Sequence, residues 1–172
     1  TGSDRVELKA PVGFVILVPA FWALNVLHTL HLMWLIMVLV TIFSGDVGAY
    51  FAGKTFGKHK LAPNVSPGKS VEGAIGGVVC AALVGGAFGY FWLNLPLATL
   101  AQFMVLAAFI SVFSIVGDLT ESMFKRHSGM KDSGNFFPGH GGVLDRLDSI
   151  FAAAPLLVVG LIILDLLMAA PI

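Results

Sequence analysis

Five runs of apolar residues, each of near-membrane length, leave this chain few folds to adopt. They extend from Pro11 to Leu27, Leu32 to Ala52, Val71 to Leu95, Leu97 to Gly117 and Ile150 to Ala170. A helix of roughly 20 such residues crosses a hydrocarbon core of about 30 Å, and the first run is the shortest. Hydrophobic residues make up 57% of the chain and charged ones 12%, with a mean hydropathy of +0.91, which excludes an ordinary soluble domain. Short alternating strands punctuated by turns are missing, so an outer-membrane barrel is disfavoured. Lipid offers no partners to backbone polar groups, and helices satisfy their own. The expectation is an all-α, polytopic integral membrane protein with about five transmembrane helices and two charged cytoplasmic loops, residues 1–172 forming a single transmembrane helical domain.

Net charge is zero, yet the 10 basic residues are placed asymmetrically. Arg5 and Lys9 precede the first run; Lys54, Lys58, Lys60 and Lys69 join the second to the third; Lys125, Arg126, Lys131 and Arg146 join the fourth to the fifth. With five alternating spans, all of them fall on one side, which the positive-inside rule makes cytoplasmic. In a bacterial cell this is the inner membrane with the polar loops facing the cytoplasm. Cys80 is the only cysteine and lies in an apolar run, which excludes an internal disulfide and a multi-cysteine metal site.

The first basic loop contains Ser66-Pro-Gly-Lys-Ser-Val-Glu-Gly73 directly before the third run. A helix N-terminus presents unpaired amides and partial positive charge, so Lys69, Ser70 and those amides could hold a phosphate. An N-cap by Ser66 or Ser70, with lysines anchoring at headgroups, explains the same residues. The segment is not a Walker loop, because Pro63 stands where that pattern needs its first glycine.

The second loop is denser in chemistry. From Ser122 to Asp148 it mixes lysine, arginine, aspartate, glycine and histidine, a blend suited to phosphate and divalent metal. Asp118 closes the fourth run, and Glu121, Ser122 and Lys125 follow at helical spacing on one face. Asp145 and Asp148 share a face at the start of the fifth. An aspartate inside a membrane helix costs about 2.5–3.5 kcal/mol even on the lenient insertion scale, so something must offset it. Asp118 facing Asp145 would provide oxygen ligands of the kind magnesium prefers; ion pairing with Lys125 or Arg146 is the plainer alternative. Asp46 lies near the end of the second run, as a ligand contact or a solvated group, and Asp165 falls at the opposite end, away from any site.

Taken in order, Ser122-Met-Phe-Lys-Arg, Lys131-Asp-Ser-Gly and Phe137-Pro-Gly-His-Gly-Gly-Val-Leu-Asp-Arg-Leu-Asp148 resemble the signature of phosphatidate cytidylyltransferases, also called CDP-diacylglycerol synthases. Ser66 to Gly73 and Asp46 to Tyr50 resemble upstream segments of that family. The resemblance implies CTP and phosphatidic acid as substrates, CDP-diacylglycerol and pyrophosphate as products, and Mg²⁺ as cofactor, with a second cation left open. It implies metal ligation by Asp118, Asp145 and Glu121. Catalytic roles fall to Lys125, Arg126, Lys131, Asp132, His140, Arg146 and Asp148, and substrate contacts to Asp46, Lys69, Ser70, Glu72 and Ser122. Membrane lipids are further partners, a homodimer is left open, and nucleic acid is not expected. Family members carry further helices ahead of this region, so the chain resembles the C-terminal core of a longer architecture.

Two alternatives share elements of this pattern. A CTP-dependent lipid kinase would release CDP instead of pyrophosphate. A cation-coupled transporter would also place acidic residues in spans, but its sites belong at mid-membrane between broken helices; here charge collects at one end.

Overall fold

A computed structural model describes the backbone of residues 3–127 and 144–166 and the side chains of residues 14–126 and 147–166. In chain order it contains α1 (Ser3–Leu30), α2 (Leu32–Phe56), β1 (Lys60–Ala62), β2 (Ser66–Ser70), α3 (Val71–Phe91), α4 (Leu97–His127) and α5 (Leu144–Ile163). The expected all-helical architecture is present. Leu32–Phe56, Val71–Phe91 and Leu97–Arg126 are long and apolar enough to cross a membrane, and Phe14–Leu30 and Leu147–Ile163 form shorter apolar helices.

The helices contact one another in a closed sequence: α1 packs on α2 and α5, α2 on α3, α3 on α4, and α4 on α5. Inside this ring lie Leu27 of α1, Trp34, Met37 and Val38 of α2, Phe103 and Ile110 of α4, and Leu157 and Leu161 of α5, all essentially inaccessible. Outward-facing Phe, Leu, Ile and Val side chains remain exposed along α1 to α4, as expected where the solvent is lipid.

Between α2 and α3 the contact depends on small residues. A Cβ built on Gly76 would lie 2.2 Å from Ala52 Cβ, and one on Gly77 only 2.7 Å from the Gly45 carbonyl oxygen. On Gly48 it would meet Cys80 Cβ at 2.5 Å. Lipid tails are as apolar as leucine, so helices gain from contact in a bilayer mainly by close packing of this kind. Gly85 does the same for α3 against α4, where a Cβ would stand 2.4 Å from Ala107 Cβ.

Helix ends follow local chemistry. His31 separates α1 from α2 and caps the latter, its Nδ1 accepting the Met33 N–H at 3.2 Å. The fifth helix starts earlier than its apolar run, at Leu144, and ends earlier, at Ile163. Asp165 adopts a left-handed φ of 54°. The Asp165 N–H bonds Ile162 O at 3.1 Å, and the Leu166 N–H bonds Leu161 O at 2.9 Å. These two bonds form a Schellman stop with aspartate in the usual glycine position.

The first charged loop is partly ordered as a hairpin, which its residue types do not announce. β1 and β2 pair antiparallel, Lys60 opposite Ser70 and Ala62 opposite Ser66, with an irregularity between. The turn Ala62-Pro63-Asn64-Val65 closes with the Val65 N–H donating to Ala62 O at 3.2 Å, with proline and asparagine at the positions a β-turn favours.

Gly77→Leu should therefore separate α2 from α3 and lower stability in detergent by about 1–3 kcal/mol, the usual penalty of overpacking. Thermal unfolding followed by size-exclusion chromatography measures it. Cys80→Ala, which keeps the Cβ, should stay within about 0.5 kcal/mol of the parent.

Candidate functional site

At 31 residues, α4 is the longest helix among the described residues. With a rise of about 1.5 Å per residue it reaches roughly 46 Å, well beyond a hydrocarbon core of about 30 Å. Its final turns, from Asp118 onward, carry the polar residues. Glu121 and Lys125, one turn apart, pair at 2.9 Å, with Glu121 Oε2 accepting from Nζ. Both side chains are largely buried, 12% and 17% exposed respectively.

Asp148 of α5 joins them. Asp118, Glu121 and Asp148 each offer an oxygen, and these atoms lie within 4.8 Å of one another. Gly117 permits the approach: a Cβ there would stand 2.7 Å from Ala152 Cβ and 3.2 Å from the Asp148 carbonyl oxygen. One Asp148 oxygen accepts the Ser149 N–H at 2.6 Å. Glu121 Oε1 is buried with no hydrogen-bond partner among the described residues. Three carboxylates this close repel unless a shared proton or positive charge offsets them, and an orphaned buried oxygen is costly. A hard divalent cation satisfies both demands, so the donor set fits one.

Lys69 reaches the cluster from β2, its ammonium donating directly to Asp118 Oδ2. The same side chain lines a cavity of about 400 Å³ walled by α2, the hairpin, the start of α3 and Ile115 of α4. Asp46, Tyr50, Lys54 and Ser70 line it too. Lys54 Nζ stands 5.7 Å from the Tyr50 ring centroid, within cation–π range.

Ser70 caps α3, its hydroxyl oxygen accepting the Gly73 N–H at 3.1 Å, so the capping explanation holds for it while it also borders the cavity. Glu72 is engaged with the hairpin base. Its carboxylate accepts the Lys58 N–H at 3.1 Å and the His59 N–H at 3.2 Å, and lies 2.6 Å from His59 Nδ1. It anchors the segment leading into β1, the strand paired with the one that presents Lys69, and is not among the residues lining the cavity.

The structure thus brings together Asp118, Glu121, Lys125, Asp148 and Lys69, with Asp46 and Ser70 on the adjoining cavity. Ser122 is half-buried on α4, and Arg126 is exposed near its end. Asp145 and Arg146 belong to the first turn of α5, but their side chains lie outside the described residues, so the expected Asp118–Asp145 pairing does too; the described α5 carboxylate beside Asp118 is Asp148. Lys131, Asp132 and His140 lie outside the described residues altogether. Tyr50 and Lys54 join the cavity without having been expected as site residues from the sequence. Their signal is the i, i+4, i+8 spacing from Asp46, which puts all three on one helix face.

Fold and site define a helical membrane protein with an acidic, cation-fitting cluster and a lysine-lined cavity at the polar end of its helices. The model of the cytidylyltransferase family matches residues 8–164, and the chain belongs to that family. It is 50% identical to the phosphatidate cytidylyltransferase of Haemophilus influenzae over 126 residues, covering 72% of this chain and 44% of that protein. It is 50% identical to the Pseudomonas aeruginosa protein of the same name over 146 residues, 84% of this chain and 54% of the relative. With the Bacillus subtilis phosphatidate cytidylyltransferase it shares 46% identity over 126 residues, 73% and 46% of the two chains. The chain spans about half the length of these curated relatives.

Glu72→Ala should loosen the hairpin while leaving α3 helical. Amide exchange at Lys58 and His59, read by mass spectrometry, should accelerate about tenfold as their carboxylate acceptor is lost.

Proposed function

We propose that this chain carries the catalytic site of a phosphatidate cytidylyltransferase, joining CTP and phosphatidic acid into CDP-diacylglycerol and pyrophosphate. The observation that carries the reading is the cluster of Asp118, Glu121 and Asp148, with Lys69 on Asp118 and a cavity beside it, in a chain of this family. A phosphatidate oxygen forms the new bond to the α-phosphorus of CTP, and the bond from that phosphorus to the bridging oxygen of pyrophosphate breaks.

Electrostatic repulsion between two polyanions is the main obstacle. Lys69 and Lys54 on the cavity and Lys125 beside the carboxylates supply positive charge where phosphates gather. Asp118, Glu121 and Asp148 would hold a divalent cation, Mg²⁺ by the chemistry of the ligands. Bound there, that ion would neutralise triphosphate charge and stabilise the charge growing on pyrophosphate. The lipid phosphate has a second pKa of about 6 and is ionised near neutral pH, so no strong general base is required. Asp145, Arg146, Lys131, Asp132 and His140 belong to the same segment and complete the proposed site by their match to the family signature.

The site faces the cytoplasm at the inner membrane, because the basic residues of α2, the hairpin and α4 gather at one end. There a lipid can present its headgroup while its tails remain in the bilayer.

Purified protein given Mg²⁺, labelled CTP and phosphatidic acid should release pyrophosphate and form a cytidine-containing lipid. Release of CDP with a phosphorylated lipid would instead establish the kinase alternative. Asp118→Asn and Asp148→Asn should each lower turnover by about 10²-fold or more with expression nearly unchanged. Near-native turnover in either variant would overturn its place in the cation cluster.

A further inference from the structure

We propose that Lys69 is a cation-released latch: a divalent cation taken by the carboxylate cluster displaces its ammonium from Asp118 into the adjoining cavity, where it contacts the anionic substrate. The inference rests on the proposed cation site but adds a coupling between that site and the cavity.

Three observations carry it. Lys69 Nζ occupies Asp118 Oδ2, and Asp118 is also one of the three clustered carboxylates. An ammonium and a dication on the same carboxylate repel, so the two compete for Asp118. Second, Lys69 already borders the cavity of about 400 Å³, so space for a second position is at hand. Third, its strand is held at both ends, beginning with Ser66 paired to Ala62. Ser70 pairs with Lys60 and caps α3, and the Val71 N–H donates to His59 O at 2.9 Å. Displacement is then a rotation of one flexible side chain, with no movement of the hairpin needed.

The chemistry gives the exchange a direction. Releasing the ammonium as the cation arrives keeps Asp118 neutralised throughout and adds a positive charge to the cavity when the anion is due. Cation binding should thereby favour anion binding, and by linkage the reverse.

Acylation of lysine amines, quantified by peptide mass spectrometry on the purified chain in detergent, reads the latch without reference to turnover. Mg²⁺ should raise Lys69 labelling about two- to fivefold, the range for freeing a part-exposed ion pair, while Lys54, which has no tie to Asp118, serves as the control and stays level. Asp118→Asn should label Lys69 at the raised level without Mg²⁺ and show no further response. CTP added to the Mg²⁺-loaded protein should bring Lys69 labelling down again; labelling that stays high would overturn the move to the anion.

Mn²⁺ binding followed by electron paramagnetic resonance separates the two ways of failing. Mn²⁺ bound by the parent chain with Lys69 labelling unchanged would overturn the latch alone. No bound Mn²⁺ at all would overturn the cation site and the latch with it.

Discussion

One ion pair, Lys69 with Asp118, joins residues 49 positions apart in the chain and connects the hairpin to the long helix α4. Asp118 sits where an apolar span gives way to polar residues, and a carboxylate there is tolerated only with a partner. Lys69 is that partner, brought from β2, whose partner strand β1 follows the segment that Glu72 holds. The cavity exists because the hairpin is fixed against α2 and α3 on one side and reaches α4 on the other. Both side chains are about one-third exposed, so the pair is a weak structural bond in the manner of surface ion pairs. Its value is in where it places an ammonium and how readily that ammonium can leave.

The positions of the charged groups depend in turn on small residues. The glycines and alanines of α2 and α3 let those backbones nearly touch, which sets the α2 face carrying Asp46, Tyr50 and Lys54 beside the start of α3. Gly117 acts in the same way between α4 and α5, admitting Ala152 and the Asp148 backbone. A bulkier residue at either contact would leave every charged group intact and still alter the distances that make a cation site. In lipid, where burial of apolar surface does not drive helices together, this close contact is a main source of both cohesion and precision.

The five helices were legible because uninterrupted apolar runs admit few structures, and the α4 face from Asp118 to Lys125 because its spacing is helical. The fifth helix was shifted: its first turns are polar, which an apolar window misses, and its stop is Asp165 in a left-handed conformation that residue type alone does not announce. The approach of Asp148 to Asp118 was only partly legible. Asp145 and Asp148 share a face one turn apart, and the Gly117–Ala152 contact that sets the register joins distant residues. The hairpin left almost no trace, since Ser66-Pro-Gly-Lys-Ser70 has none of the β-branched or aromatic character of a strand. Without it, neither the tie from Glu72 to His59 nor the reach of Lys69 to Asp118 could be inferred.

The length of α4 argues against a transport pathway and for the interfacial site proposed. A transporter needs its acidic groups near mid-membrane, between broken helices, so that either side can reach them. Here α4 runs unbroken through Asp118 and Glu121 to His127, and the cluster forms in its last turns. Lys54, Lys69 and Lys125 gather at that same end, where Gly53 nears Gly73 and Gly117 nears Asp148. Clustering of these lysines with the three carboxylates at one end gives the site access from one side, which suits the proposed reaction between a soluble polyanion and a lipid whose tails never leave the bilayer. The helix is long enough to cross the hydrocarbon and still carry its carboxylates to the depth of the headgroup phosphate.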